Sequence, residues 1–331
     1  MKKNCYSATF SRMTKPCASI DIGSHTARLL ISTKSGPQGI LRPLIRKRDY
    51  IRLSEGFDRS GKKIIQPDAI HRTLNVLEDF SQSLKTFDVG SVHAVATGLF
   101  REAANRDEFL DRIYESTGIR VRTITGDEEG LLTGKGVLNA LNIRKGPFLI
   151  FDLGGGSTEF LSGTEGAQTV KSIPLGAGIL TQAYLKSDPP EKEEIDELSR
   201  HIDQSLEEFL SEPYVKGDNL LIVGTGGTVT TLGAMLHRIS VEDVTPDRIT
   251  GMTLTRAQIE ALFDRLRNLN LEERFDLPGL DPGRAGVILA GSLIVIRILR
   301  FFKSVQLTVS MSDLLEGILL TCFKGEGNEY E

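Results

Sequence analysis

The sequence predicts an α/β protein built from two diverged copies of one domain. Two observations carry that reading. Short apolar runs of strand type alternate with amphipathic helical stretches for most of the chain. Two of the strand pairs are joined by glycine turns and repeat one residue order, AlaSerIleAspIleGlySerHisThr from Ala18 and LeuIlePheAspLeuGlyGlyGlySerThr from Leu149. Two copies of such a unit are expected to meet head to head.

Residues 1–16 open the chain with Lys2 and Lys3 and are too polar for a signal-peptide core, so they read as a poorly ordered extension. Ala18–Ile20 and Leu29–Ile31 form the first strand pair around Gly23. Ile70, Leu74, Leu77, Phe80 and Leu84 then recur at helical spacing. Val92–Ala96 reads as a strand, and Asn105 with Glu108 has the pattern of a capping box. Phe148–Phe151 begins the second strand pair around Gly154, Gly155 and Gly156. Ile195, Leu198, Ile202, Leu206 and Phe209 predict another helix, and Leu220–Val223 another strand. Thr255 with Gln258 gives a second capping box, Val287–Ile296 a buried helix and Val305–Val309 a last strand.

Length agrees with two domains, since 331 residues is about twice the ~150 of an average one. A net charge of −4 gives no reason to expect DNA or RNA as a partner. Three cysteines, Cys5, Cys17 and Cys322, make no disulfide framework and point to a reducing cytoplasm. Five scattered histidines show no zinc-hydrolase spacing. The run from Val287 stops at Arg297, short of the ~18 residues of a membrane span.

A strand–glycine turn–strand unit differs from the strand–loop–helix of a Rossmann or Walker site. Its small tip lets backbone N–H groups approach phosphate oxygens. Gly23, Ser24, His25 and Thr26 form one tip, and Gly154, Gly155, Gly156, Ser157 and Thr158 the other. Asp21 and Asp152 end their strands just before the turns, where a carboxylate can hold a hydrated divalent cation, and Glu159 can share that role. One such turn alone is a tight hairpin; the duplication favours phosphate binding. Gly224, Gly226, Gly227 and Thr228 follow a strand and open a helix, which suits a phosphate or nucleotide and equally suits close packing. Asp127, Glu128 and Glu129 crowd together between the copies. A member held from water would serve as a general base, although by composition the run reads as a solvated helix start. Arg101 follows a strand end and can grip phosphate in a bidentate fork. Arg46, Lys47, Arg48 and Arg52 are a dense basic stretch, either a solvated strand or a polyanion track.

These motifs, with AlaThrGlyLeuPheArgGluAlaAlaAsn, IleThrGlyAspGluGlu, ProLeuGlyAla and ValGlyThrGlyGlyThr, resemble the exopolyphosphatase and guanosine pentaphosphate phosphohydrolase family from about Ala18 to Gly317. The resemblance implies the duplicated actin-like (ribonuclease H-like) ATPase-type fold, a two-domain clamp with its site in the cleft. Domain I would be residues 17–126 with the C-terminal helix 311–331 crossing back, and domain II residues 127–310. It implies hydrolysis of terminal phosphoanhydrides of inorganic polyphosphate or guanosine pentaphosphate by Mg²⁺-assisted water, with Mn²⁺ as the substitute cation. Glu129 would be the base, Asp152, Glu159 and Asp21 would hold metal, and Arg101 and the glycine clusters would bind phosphate. A homodimer is expected, and a short form without the all-helical HD-type region of long members. Two positions depart from the pattern: His25 replaces a common Asn, and Leu315 a common Arg. An ATP-dependent small-molecule kinase and a non-catalytic polyphosphate or alarmone sensor are the competing readings; the GluGlu element argues against the first, and retention of Glu129, Asp152 and Glu159 against the second.

Overall fold

A computed structural model describes residues 15–35, 40–57, 61–164, 167–210 and 220–325. Most of the expected N-terminal extension, residues 1–14, and the last part of the expected C-terminal helix, residues 326–331, lie outside the described residues. Strands β1 (Cys17–Ile22), β2 (Thr26–Ser35), β3 (Ile40–Tyr50), β4 (Ser91–Ala96) and β5 (Val121–Thr123) form one sheet, in the order β3-β2-β1-β4-β5. Strands β6 (Phe148–Leu153), β7 (Thr158–Thr164), β8 (Ala167–Ile173), β9 (Leu221–Thr225), β10 (Thr253–Thr255) and β11 (Gln306–Val309) form the other, in the order β10-β11-β9-β6-β7-β8. In each sheet an antiparallel triplet, β1–β2–β3 or β6–β7–β8, is continued by parallel neighbours. The repeat read from two short hairpins therefore extends to whole sheets, with β10 added antiparallel at one edge.

Helices α1 (Pro67–Thr86), α2 (Arg106–Thr117) and α3 (Gly126–Ala140) precede β6, and α4 (Ala177–Tyr184) and α5 (Lys192–Phe209) follow β8. After β9 come α6 (Gly227–His237), α7 (Pro246–Ile249), α8 (Arg256–Leu266), α9 (Leu271–Phe275), α10 (Ile288–Phe301) and α11 (Leu314–Gly325). Burial on nearly every side of α10 explains the long apolar run that predicted it. The Thr255–Gln258 capping box forms at the start of α8. The Asn105–Glu108 box does not: Asn105 spends its amide on the backbone N–H and carbonyl of Ile65, each at 3.0 Å. Tertiary bonding outcompetes the local cap there.

Helices α3 and α11 join the two sheets. Leu315, Leu319 and Phe323 of α11 pack on Cys17 and Leu30 of the first sheet, while Val137 of α3 packs on Phe148, Ile150 and Leu161 of the second. The two helices touch backbone to backbone. A Cβ on Gly317 would lie 1.8 Å from the Leu132 carbonyl oxygen, and one on Gly136 2.1 Å from that of Asp313. Only glycine fits this crossing, which sets the first turn of α3 beside the cleft. Among the described residues no helix is long and apolar enough to cross a membrane.

Candidate active site

The two hairpin tips face each other across a cavity of about 520 Å³. Gly23, Ser24, His25 and Thr26 line one wall, and Gly154, Gly155, Gly156 and Ser157 another. The tips are built alike, with Gly23 N–H donating to the Thr26 carbonyl at 2.9 Å and Gly154 N–H to that of Ser157 at 3.0 Å. Helix α4 props the second tip: the N–H of Ala177 reaches the Gly154 carbonyl, and those of Gly178 and Ile179 the Gly155 carbonyl. Among the described residues no backbone carbonyl takes the N–H of Gly155, Gly156 or Ser157. Three donors at one tip suit an anion.

Glu129 sits in the first turn of α3, whose N-cap Thr125 accepts from Glu128 N–H. The neighbouring carboxylates part ways. Glu128 pairs with exposed Arg122, while Glu129 turns into the cavity and pairs with Arg101 at 2.7 Å. Burial, and then the Glu159 charge, push the Glu129 carboxyl up to about 8 against the pull of Arg101. The expected solvated helix start holds for exposed Asp127 and half-buried Glu128, but not for Glu129.

Asp152 and Glu159 are directly opposed on β6 and β7. Burial pushes both up to about 7, helped by Asp313 at Asp152 and by Asp152 itself at Glu159. Glu159 accepts from the Ser157 and Ser172 hydroxyls at 2.7 Å, and Asp152 from Thr133 at 3.4 Å. Asp21, the corresponding aspartate, is committed differently. Arg28 donates to it twice, at 2.7 and 2.9 Å, and Thr97 at 3.3 Å. Both of its oxygens are thus engaged from within the protein.

Other expected site residues lie elsewhere. The Thr158 hydroxyl donates to the Leu175 carbonyl inside the core. Gly224 packs against Phe151 and Val229, and Thr228 is buried against Gly291. These three serve packing, whereas Gly226 and Gly227 line the cavity. Arg101 holds Glu129 in this structure. Leu315, at the position of the common Arg, is fully buried.

Sequence reasoning left Arg46 and Arg48 open between a solvated strand and a polyanion track, and missed Arg28 and Arg284, which complete an arginine wall. Arg28 bridges Asp21 and Asp313, Arg46 pairs with Glu316, and Arg48 pairs with Asp281. Arg284 is half-buried beside Gly227, and removal of its guanidinium from water lowers its pKa from the ordinary value. The basic stretch at 46–48 thus lines the cavity. Period-two placement on one strand was the available signal for Arg46 and Arg48; nothing local marked Arg284.

The paired mixed sheets and facing hairpins define a duplicated actin-like, ribonuclease H-like fold. The chain belongs to the Ppx/GppA phosphatase family, whose profile matches residues 30–326. It is 32% identical to Exopolyphosphatase 2 of Mycobacterium tuberculosis over 318 residues, covering 92% of this chain and 97% of the relative. The Aquifex aeolicus Ppx/GppA phosphatase superposes with a TM-score of 0.74 at 33% identity, over 93% of this chain and 99% of that one. An exopolyphosphatase structure from Cytophaga hutchinsonii gives 0.82 at 25% identity, over 94% and 98%.

Proposed function

We propose that this chain hydrolyses the terminal phosphoanhydride of inorganic polyphosphate, with Glu129 as general base. The observation that carries the reading is one buried carboxylate with a raised pKa, held by Arg101 in a cleft with a donor-rich glycine tip. Family membership and the exopolyphosphatase names of the relatives support it. In this reading the N–H groups of Gly155, Gly156 and Ser157 hold the terminal phosphate. Ionised Glu129 takes a proton from water, and Arg101 keeps its carboxylate in place and lowers the cost of ionising it.

Asp152 and Glu159 fit a Mg²⁺ or Mn²⁺ ion. They are all-oxygen donors on facing strands, and each keeps its proton more tightly because it is buried and then because a neighbour is anionic. Two carboxylates would leave the ion's remaining positions to waters and substrate oxygens. Such an ion would draw charge from the phosphoryl oxygens.

Guanosine pentaphosphate shares the reacting group and is the second substrate of the proposal. The far wall, with Ala234, Val244, Pro246 and Met311, offers small and apolar surface of the kind a nucleoside covers. Phosphate release from each substrate with Mg²⁺ and no ATP tests the reading. Release from neither would leave the kinase or sensor in its place.

A further inference from the structure

The two hairpin tips are useful only at a fixed separation, and one side-chain assembly spans them away from the acids. His25, at the first tip, lies against the second: a Cβ built on Gly155 would be 3.6 Å from the His25 Cβ. The His25 ring meets Tyr50, the last residue of β3, edge to face, with centroids 5.3 Å apart. Tyr50 in turn donates its hydroxyl to Asp281 at 2.8 Å, and Arg48 pairs with the same carboxylate oxygen. Asp281 precedes a single 3₁₀ turn, Pro282–Arg284, on the side of the cleft that carries the second sheet. Its other oxygen accepts from Gly283 N–H at 3.0 Å, so the acceptor is fixed by its own turn. Tyr50 also lies on Gly283 so closely that a Cβ there would be 2.2 Å from the Tyr50 Cζ.

We propose that Tyr50 and Asp281 are positioning residues that hold the two glycine tips at phosphate-binding distance. The proposal rests on the cleft being the phosphate site. The bond ties the end of β3 to the turn before α10 across more than 200 residues of sequence, and Tyr50 passes that constraint to His25. Neither residue is needed at the reacting phosphorus. Loosening the bond lowers the fraction of molecules with both tips in register, and apparent affinity falls by that fraction. Tyr50→Phe removes the hydroxyl and keeps the ring on Gly283 and His25. Asp281→Asn weakens the acceptor and keeps an oxygen for Gly283 N–H. Gly283→Ala wedges the contact apart, since a rigid ring occupies the space.

Steady-state kinetics on inorganic polyphosphate and small-angle scattering of the ligand-free protein decide the matter. Tyr50→Phe and Asp281→Asn should each raise KM about three- to tenfold with kcat within about twofold. The double variant should be no worse than Asp281→Asn alone, which already loses both the Tyr50 bond and the Arg48 charge pair. Gly283→Ala should raise KM further and increase the radius of gyration. Unchanged KM and radius in all three single variants would overturn the proposal, and so would a loss of kcat at constant KM. If the wild type releases no phosphate, the hydrolase reading fails, while the radius of gyration of the Gly283→Ala protein still tests the positioning role.

Discussion

The two glycine hairpins share a backbone and differ in one decisive pair. Counting seven residues on from each aspartate reaches the residue directly across the turn: Arg28 opposite Asp21, and Glu159 opposite Asp152. In the first copy the pair is an ion pair, further anchored by Asp313 from the start of the last helix. In the second it is two carboxylates in a buried site, both raised by burial, with Asp313 adding to the rise at Asp152 and Asp152 to that at Glu159. A duplicated scaffold thus separates into an arm that neutralises its own charge and an arm whose two facing carboxylates the proposed Mg²⁺ would neutralise. Glu129 stands on the second side, and Glu159 adds to its raised pKa.

The largest break of this contrast removes the proposed base. Glu129→Gln keeps the size and the hydrogen bond to Arg101 but takes no proton, so kcat should fall about 10²–10⁴-fold. Glu128→Gln, one residue away on exposed Arg122, should stay within about twofold of wild type. Matched single-turnover rates check the pair. Equal losses would mean a general charge effect.

Next comes a swap of consequences between the two aspartates. Asp152→Asn should lower activity and weaken the response to added Mg²⁺, with the fold intact. Asp21→Asn should act on stability, since Arg28 loses a buried partner; removing one member of such a pair costs about 3 kcal/mol. Metal titrations and urea unfolding of both variants measure this. A Mg²⁺ defect in Asp21→Asn that matched that of Asp152→Asn would return Asp21 to the metal set.

A smaller effect is the pH dependence of the ligand-free protein. Glu129, Asp152 and Glu159 have native values raised to about 7 to 8, above the ordinary carboxylate range. Native protein therefore binds more protons than the unfolded chain between that range and about pH 8. Their contribution to stability is full below the ordinary range and is lost as pH rises through 7 to 8. The urea midpoint should fall from pH 6 to pH 9 in chelator, and Asp152→Asn should flatten the fall. For the same reason kcat should rise with pH until Glu129 is ionised. Arg101→Gln should move that rise to higher pH.

Much of the fold was legible because the hairpins carry their own punctuation, an aspartate, glycines and a hydroxyl residue between apolar strands. The duplication then implied the cleft. Glu129 was legible as one of three crowded acids, but its burial depends on the close crossing of α3 with α11, set by Gly136 and Gly317 far apart in sequence. Arg46 and Arg48 were legible only as a basic stretch, solvated or polyanion-binding, because the Glu316 and Asp281 that hold them lie more than 200 residues away, and Arg28 and Arg284 carried no local mark of the site. Asn105 failed as a cap for the same reason: its side chain had a better tertiary offer at Ile65.

The smallest expected effect concerns Thr158 and sharpens the comparison at the level of register. Aligning the hairpins on their aspartates places Ser157 opposite Thr26 in role and Thr158 opposite Ala27. Ala27 is fully buried, and so is Thr158, because alternate residues of a strand point to opposite faces. Grouping Ser157 and Thr158 together as phosphate donors ignores that alternation. The Thr158 hydroxyl satisfies the buried Leu175 carbonyl instead. Thr158→Val should therefore cost stability of about 1–2 kcal/mol, the price of a buried acceptor left without its donor. KM for polyphosphate should stay within about twofold of wild type. Ser157→Ala, by contrast, should raise KM, since it removes a cavity-lining hydroxyl that also holds Glu159. Were Thr158→Val to raise KM as much as Ser157→Ala with stability unchanged, the inward register of β7 at this residue would be wrong.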